Sequence, residues 1–395
     1  MAVKSELHTI EISRRPRRTW AQTVNAVLAG VVFLFAGLMI NGSQFIFLLP
    51  LKVLPFACAD RMYYEGIRYS KGAFGRLLVL MSQWFAPTKL VGRFTEEQVK
   101  QLVERDGTGR VVGLRLPQRA VMIANHQIYA DWWYAWSLTY YMGTCADVFI
   151  VLKESLKWLP IWAGVFRNDG LAQGMRFFNF IFLKRSWASD RLHLSSSLSW
   201  LGRRAETQDS PLTFILYPEG TLVSKDTKPL SKKFADKIGI SSASVDRPHY
   251  SLRSLAPRIP SLQLIDLTMT YPGIPPFGYG QSYYTLRSMF VDRVPPPAVH
   301  MHIRCFDVAK DTSHKERVQE VDIPEKERET FELWLRDLWR EKDKLISKYL
   351  ESGSMADDRK AEVEIPLRLK RTREIFDAFC FFMPAAVFWA WWKFR

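Results

Sequence analysis

Five short apolar runs divide the middle of the chain: Ala120–Ala124, Val148–Leu152, Asn179–Leu183, Leu212–Tyr217 and Leu264–Tyr271. Each has strand length. Helix-length stretches separate several of them, one beginning at Asp131 and another at Ser189. Strands that are apolar along their whole length need cover on both faces, as in a parallel sheet between helices. The pattern therefore predicts an α/β domain with a mixed, partly parallel sheet flanked by helices. A long amphipathic helix is expected from about Pro324 to Leu350. Phe331, Trp334, Leu338, Leu345 and Tyr349 lie near one face, and charges fill the other.

The ends of the chain differ in kind. Arg14–Arg18 reads RRPRR, and Val24–Ile40 follows with 17 residues and no charge, the lower limit for a helix that crosses a bilayer. After a polar break at Asn41–Gln44 comes a second apolar run, Phe45–Phe56, which contains Pro50, Lys52 and Pro55. The pair is expected to form a membrane hairpin or re-entrant anchor. Arg14–Arg18, Arg61 and everything after it would then lie on the cytosolic side. A cleaved signal peptide is the rival reading, and the basic region lies too far from Met1 to suit it. Near the other end Leu367–Glu374 is basic. The apolar segment behind it contains Asp377 and Pro384, and either spans or lies in the interface. The expected organisation is a basic tail over 1–19, a membrane hairpin or anchor over 20–60 and a catalytic domain over 61–354. A basic linker and C-terminal membrane segment would occupy 355–395.

Charge narrows the partners. The net charge is +15 and aromatic residues make up 14% of the chain, a balance suited to a membrane interface or a phosphorylated substrate. No nucleic-acid partner is expected, because the chain has no zinc-finger spacing, no RNP-like aromatic strand and no basic region followed by heptads. Cys58, Cys145, Cys305 and Cys380 are scattered. They predict neither a disulfide framework nor a metal site, and read as buried structural thiols in a reducing compartment.

Residues 124–134, ANHQIYADWWY, put His126 five positions before Asp131, just after an apolar run. A histidine titrates near neutrality and suits a general base. A carboxylate on its other ring nitrogen fixes the tautomer and stabilises the imidazolium. Spacing alone is weak, since this pair is expected by chance in roughly one chain of three. His302 and Asp307 repeat it inside the strand-like run VHMHIRCFDV. Positions five apart on a strand face opposite ways, so that pair cannot meet. His126 and Asp131 instead sit where a strand, a polar turn and a helix meet. Strand ends in α/β sheets are where catalytic side chains emerge, and Asn125 is a residue type that tolerates the turn.

Two further features fit the same chemistry. Leu216–Thr221 reads LYPEGT at the end of the fourth apolar run, with Glu219 and Thr221 offering polar atoms and Gly220 permitting close backbone approach. FLKR places Arg185 just past the third run, where a guanidinium can clamp a phosphate. NHxxxxD, a strand ending in arginine and PEGT together resemble the glycerolipid acyltransferase family, over about Arg119 to Pro276. NHQIYADWWY, YPEGT and YPGIPPFGYGQ look most like its fungal lysophosphatidylinositol and lysocardiolipin-type branch.

The resemblance implies His126 as catalytic base and Asp131 as its partner. It also implies that Asn125, Arg185, Glu219, Gly220 and Thr221 bind substrate. The reaction implied is acyl transfer from acyl-CoA to a lysophospholipid hydroxyl, with lysophosphatidylinositol favoured, no cofactor and no metal. Backbone N–H groups at the strand ends are expected to hold the oxyanion. No GxSxG elbow occurs, so no acyl-enzyme is expected. A lysophosphatidic acid acyltransferase, a lipid hydrolase and an inactive membrane scaffold are the alternatives. The expected place is the endoplasmic reticulum membrane with the catalytic domain facing the cytosol; oligomeric state stays open.

The chain departs from the family pattern in three places. Leu222 stands where the family has an arginine, and Lys225, Lys228, Lys232 or Lys233 would have to replace it. The stretch carrying Lys153, Pro160 and Gly164 is separated from Arg185 by extra residues, RNDGLAQ. The last family motif is matched only loosely, by Thr270–Pro276.

Overall fold

The structure, a computed structural model, describes residues 6–154, 177–184, 187–220, 222, 246–308, 325–356 and 362–393. Helix α1 (Trp20–Ser43) starts at a capping box: Thr19 accepts from the Gln22 backbone and Gln22 answers on the Thr19 N–H. No proline interrupts the turns until Pro50. The chain continues from α1 through one π-helical stretch and one 3₁₀ stretch to Val53. The second apolar run is therefore not a separate leg, as the hairpin expectation had it. It extends the first into one 34-residue rod, Trp20–Val53, the one described helix long and apolar enough to cross a membrane. Pro50 permits this because proline is tolerated in the first turn of a new helical segment. The chain returns as helix α2 (Ala57–Phe85), which is buried from Ser70 to Gly75 and from Leu77 to Ser82 and belongs to the main core.

The remaining elements build one eight-stranded sheet and one small hairpin. In chain order they are β1 (Lys89–Arg93), α3 (Glu96–Leu102), β2 (Val103–Arg105), β3 (Val111–Leu114), β4 (Arg119–Ala124), α4 (Asp131–Met142), β5 (Val148–Lys153) and β6 (Ile181–Leu183). Then follow α5 (Trp187–Gln208), β7 (Leu212–Leu216), α6 (Asp246–Leu255), β8 (Gln263–Thr270), α7 (Leu286–Phe290), β9 (Ala298–Asp307), α8 (Glu325–Ser352), β10 (Glu362–Pro366), α9 (Glu374–Ala378) and α10 (Phe382–Lys393).

The sheet order is β10-β1-β9-β8-β4-β7-β5-β6. From β8 to β6 every neighbour is parallel, while β9 runs antiparallel to β8 and β10 antiparallel to β1. The mixed α/β sheet is as the apolar runs predicted. Its edge strand β10 lies in the stretch expected to be a linker, so the sheet extends past the expected boundary at residue 354. Alternate residues Val363 and Ile365 are buried there, a period-two pattern too short to separate from the basic residues around it.

Three strands matter for chemistry. Ile123 is level with Leu216 of β7, and Ala124 with Leu267 of β8. The C-terminal ends of β4, β7 and β8 therefore open together on one edge. Helix α4 begins there and runs down one face with Trp133, Tyr134 and Trp136 buried. Trp133 donates its indole N–H to Ser82 of α2 at 2.9 Å, and Trp136 to the Cys145 carbonyl at 3.0 Å. Helix α8 covers the other face with Leu335, Leu338, Lys342 and Tyr349 buried. Lys342 sits on the buried face, contrary to the expectation that charges keep to the other. Its ammonium donates to the Leu267 carbonyl at 2.8 Å and the Thr268 hydroxyl at 3.2 Å, and pairs with Asp266 at 2.5 Å. All three of its protons are used, which ties α8 to β8. Of the four thiols, Cys145 and Cys380 are buried; Cys58 and Cys305 are exposed, against the expectation, and all four are free.

Candidate active site

His126 and Asp131 meet. His126 Nδ1 and Asp131 Oδ2 are 2.7 Å apart. The same oxygen accepts the backbone N–H of Gln127 at 2.7 Å and of Ile128 at 2.9 Å. The other oxygen accepts the Tyr271 hydroxyl. Asp131 is fully buried, and four donors converge on it. A carboxylate so surrounded is an acceptor only, so Nδ1 carries the proton and Nε2 is left with the lone pair. Burial, then the neighbouring Asp131 charge, keeps the Tyr271 hydroxyl far above its ordinary pKa, so it stays a donor. His302 and Asp307 lie five apart on β9, as the strand reading required.

The turn between β4 and α4 owes its shape to these bonds. Asn125 is buried, and both ends of its carboxamide bind β8: its N–H₂ donates to the Met269 carbonyl at 2.9 Å and its oxygen accepts the Met269 N–H at 2.7 Å. This extends strand pairing one residue past β4. The His126 N–H then points to Glu219 Oε1 at 3.3 Å. Three backbone donors of this turn are engaged, His126 N–H by Glu219 and Gln127 N–H and Ile128 N–H by Asp131, so none of these three faces an oxyanion.

Glu219 follows β7 in a turn closed by the Gly220 N–H on the Tyr217 carbonyl at 3.0 Å. Gly220 has φ +70° with open space around it, so backbone conformation and not crowding selects glycine. The Tyr217 ring lies 4.7 Å from the His126 ring. Trp339 of α8 donates its indole N–H to Glu219 Oε1 at 3.3 Å. Burial pushes the Glu219 carboxyl up to about 7, and the nearby His126 opposes the shift.

That shift has a consequence for stability. The folded protein holds the proton up to about pH 7, whereas the unfolded chain releases it near 4.5. Between those values the native state binds more protons, so stability falls as pH rises. Glu219→Gln is expected to flatten this slope, removing about 2 kcal/mol of pH-dependent loss once partial solvent screening is allowed for. Urea unfolding of both proteins at pH 5 and pH 8 measures it. Parallel slopes would show that Glu219 titrates normally.

These groups line a cavity of about 230 Å³. Its polar floor is Asn125, His126, Gln127, Glu219 and Thr270, with Lys342 and Asp343 of α8 beside them. Its lip is apolar, from Ile274, Pro275 and Phe277 on the loop after β8 and Ile346 and Leu350 on α8. Phe277 is 95% exposed and holds a φ of +63°. The loop is braced by the N-terminal segment. Arg15 donates to the Tyr283 carbonyl at 2.6 Å, Gln22 to the Asp292 carbonyl at 2.6 Å, and a Cβ on Gly273 would meet the His8 carbonyl at 2.7 Å. The cavity mouth therefore lies beside the start of α1.

Arg185 and Thr221 lie outside the described residues, as do Lys225, Lys228, Lys232, Lys233, Pro160 and Gly164. Leu222, at the family's arginine position, is buried. Tyr271, Trp339 and the α8 wall escaped sequence reasoning. Tyr271 showed in the sequence as the last residue of an apolar run and the first of YPGIPPFGYGQ, but its role depends on β8 pairing with β4. No group of His, Cys, Asp and Glu among the described residues could hold a metal ion.

The family model Acyltransferase matches residues 109–240, and Acyltransferase C-terminus matches 290–376, which contains α8. The 2-acyl-1-lysophosphatidylinositol acyltransferase of Saccharomyces cerevisiae is 37% identical over 278 residues, 62% of this chain and 64% of that protein. An uncharacterized acyltransferase of Schizosaccharomyces pombe is 32% identical over 324 residues, 80% of this chain and 83% of that protein. Lysocardiolipin acyltransferase 1 of Danio rerio is 26% identical over 249 residues, 60% of this chain and 53% of that protein. No solved structure matches. With both models matched and the S. pombe protein covered over most of its length, this chain belongs to the acyltransferase family.

Proposed function

We propose that this protein is an acyl-CoA-dependent lysophospholipid acyltransferase whose favoured acceptor is lysophosphatidylinositol. The observation that carries the reading is His126, held by a four-donor Asp131, lining a cavity with a polar floor and an apolar lip. The 37% identity to a relative named for lysophosphatidylinositol supports the acceptor.

In this mechanism His126 Nε2 takes the proton of the lysolipid hydroxyl as its oxygen attacks the thioester carbonyl. Asp131 stabilises the imidazolium. The tetrahedral intermediate collapses, the C–S bond breaks, and the leaving thiolate takes the proton back from Nε2. Gln127 and Thr270, which line the cavity with His126, are the side chains we assign to the oxyanion.

The lipid would arrive along the apolar lip. Val24, Val27, Leu28, Val31, Phe35 and Leu38 are exposed on α1, the helix whose start lies beside the cavity mouth, which supports membrane anchoring. We place the enzyme at the endoplasmic reticulum membrane, active face to the cytosol.

The test is an acceptor panel. Membranes carrying the full chain are given labelled acyl-CoA with lysophosphatidylinositol, lysophosphatidic acid and other lysolipids. Labelled phosphatidylinositol is expected to dominate. A preference for lysophosphatidic acid would overturn the acceptor, released fatty acid would indicate a hydrolase, and no label anywhere would indicate a scaffold.

A further inference from the structure

A second cavity, of about 220 Å³, opens at the far end of α4, between the end of α2, the turn before β3 and the chain after β10. Helix α4 spans 12 residues, so this cavity lies on the order of 15 Å from Asp131 along the helix. Its walls carry three cations, Arg110, Arg368 and Lys370, together with Gln83 and Thr372. Among the described residues none of the three cations has a carboxylate partner within ion-pair distance. Glu374, whose charge acts on Lys370 without an ion-pair contact, accepts the Tyr140 hydroxyl.

Arg110, Gln83 and Lys370 are held in place. Arg110 donates one N–H to the Leu369 carbonyl at 2.8 Å, while its Nε is buried without a hydrogen-bond partner. Gln83 accepts the Leu369 N–H at 3.0 Å through its oxygen, which leaves its N–H₂ as a donor. The Lys370 ammonium sits 5.0 Å from the centre of the Tyr140 ring. Burial lowers its pKa, so a bound anion would restore the charge that burial disfavours. Leaving such groups unmatched costs stability, and an anion with several oxygens meets the need.

The surroundings point to the source of that anion. Immediately after the cavity, Phe376, Phe381, Phe382, Trp389 and Trp392 are exposed along α9 and α10. Phe379 packs on Phe35 of α1 at 5.6 Å, so this surface continues the exposed apolar face of α1. Cations above a belt of exposed aromatics fit a headgroup phosphate above acyl chains. We infer that this cavity binds the phosphate of an anionic glycerophospholipid, apart from the active site.

The test uses the full chain in nonionic detergent and reads thermal stability. The probes are dihexanoyl phosphatidylglycerol, dihexanoyl phosphatidylcholine and inorganic phosphate; neither lipid has a free glycerol-backbone hydroxyl. Dihexanoyl phosphatidylglycerol is expected to raise Tm saturably, and more strongly than the other two. The exposed Arg368→Gln, alone and with Lys370→Gln, is expected to weaken that binding about tenfold or more. His126→Ala, which alters the other cavity, is expected to leave it unchanged. Equal binding by the doubly substituted protein, an equal response to phosphatidylcholine, or no saturable response would overturn the site. A response to inorganic phosphate as strong as to the lipid would overturn the lipid assignment.

Discussion

Replacing His126 with alanine is expected to lower kcat for acyl transfer by about 10²–10⁴-fold, the usual share of a positioned general base. The reason is local. Nδ1 is committed to Asp131, so Nε2 is the basic atom on the polar floor of the cavity. KM should change little, because the proton moves only as the transition state forms. The fold should survive. His126 is partly exposed, and the carboxylate left behind keeps two backbone donors and the Tyr271 hydroxyl. Equal membrane recovery and an unchanged melting temperature, measured beside the rate, separate lost chemistry from lost structure.

Asp131→Asn is expected to produce a fall of similar size, about 10²–10⁴-fold, with a different cause. Two backbone N–H groups point at the Oδ2 position, so the new carboxamide must place its oxygen there. Its N–H₂ then faces the Tyr271 hydroxyl, which can turn and accept. The histidine keeps its tautomer and loses the negative charge that stabilises it once protonated. Because both residues act on one proton, the doubly substituted protein should be scarcely slower than His126→Ala alone. Initial rates of the two single variants and the double decide this. Additive losses would mean that Asp131 acts elsewhere, and near-normal turnover of Asp131→Asn would remove it from the mechanism.

Much of this site could be read from sequence because its parts are local. Five residues separate His126 from Asp131, and the strand before them and the helix after them each show in a short window. Those boundaries came out within a residue: Ala120–Ala124 became β4 and the stretch from Asp131 became α4. The same reasoning rejected His302 and Asp307, since β9 carries both.

What sequence did not disclose depends on contacts between distant segments. Tyr271 reaches Asp131 from 140 positions away, and only because β8 lies next to β4. Trp339 reaches Glu219 across 120 positions, from a helix whose apolar stripe showed that one face would be buried without showing against what. Lys342 shows where periodicity misleads. It counted as a solvent charge until β8 supplied Asp266 as its partner. The rod Trp20–Val53 was split in two because Asn41–Gln44 and Pro50 read as breaks. A π turn and a new 3₁₀ start absorb them without stopping the chain's direction.

The central claim is that this chain moves an acyl group onto a lysophospholipid hydroxyl through His126. Its most direct test is the initial rate of labelled phosphatidylinositol formation from acyl-CoA and lysophosphatidylinositol, measured on wild type and His126→Ala at equal amounts of folded protein. Product from wild type and at least about a hundredfold less from the variant is the predicted result. Product at comparable rates from both would contradict it.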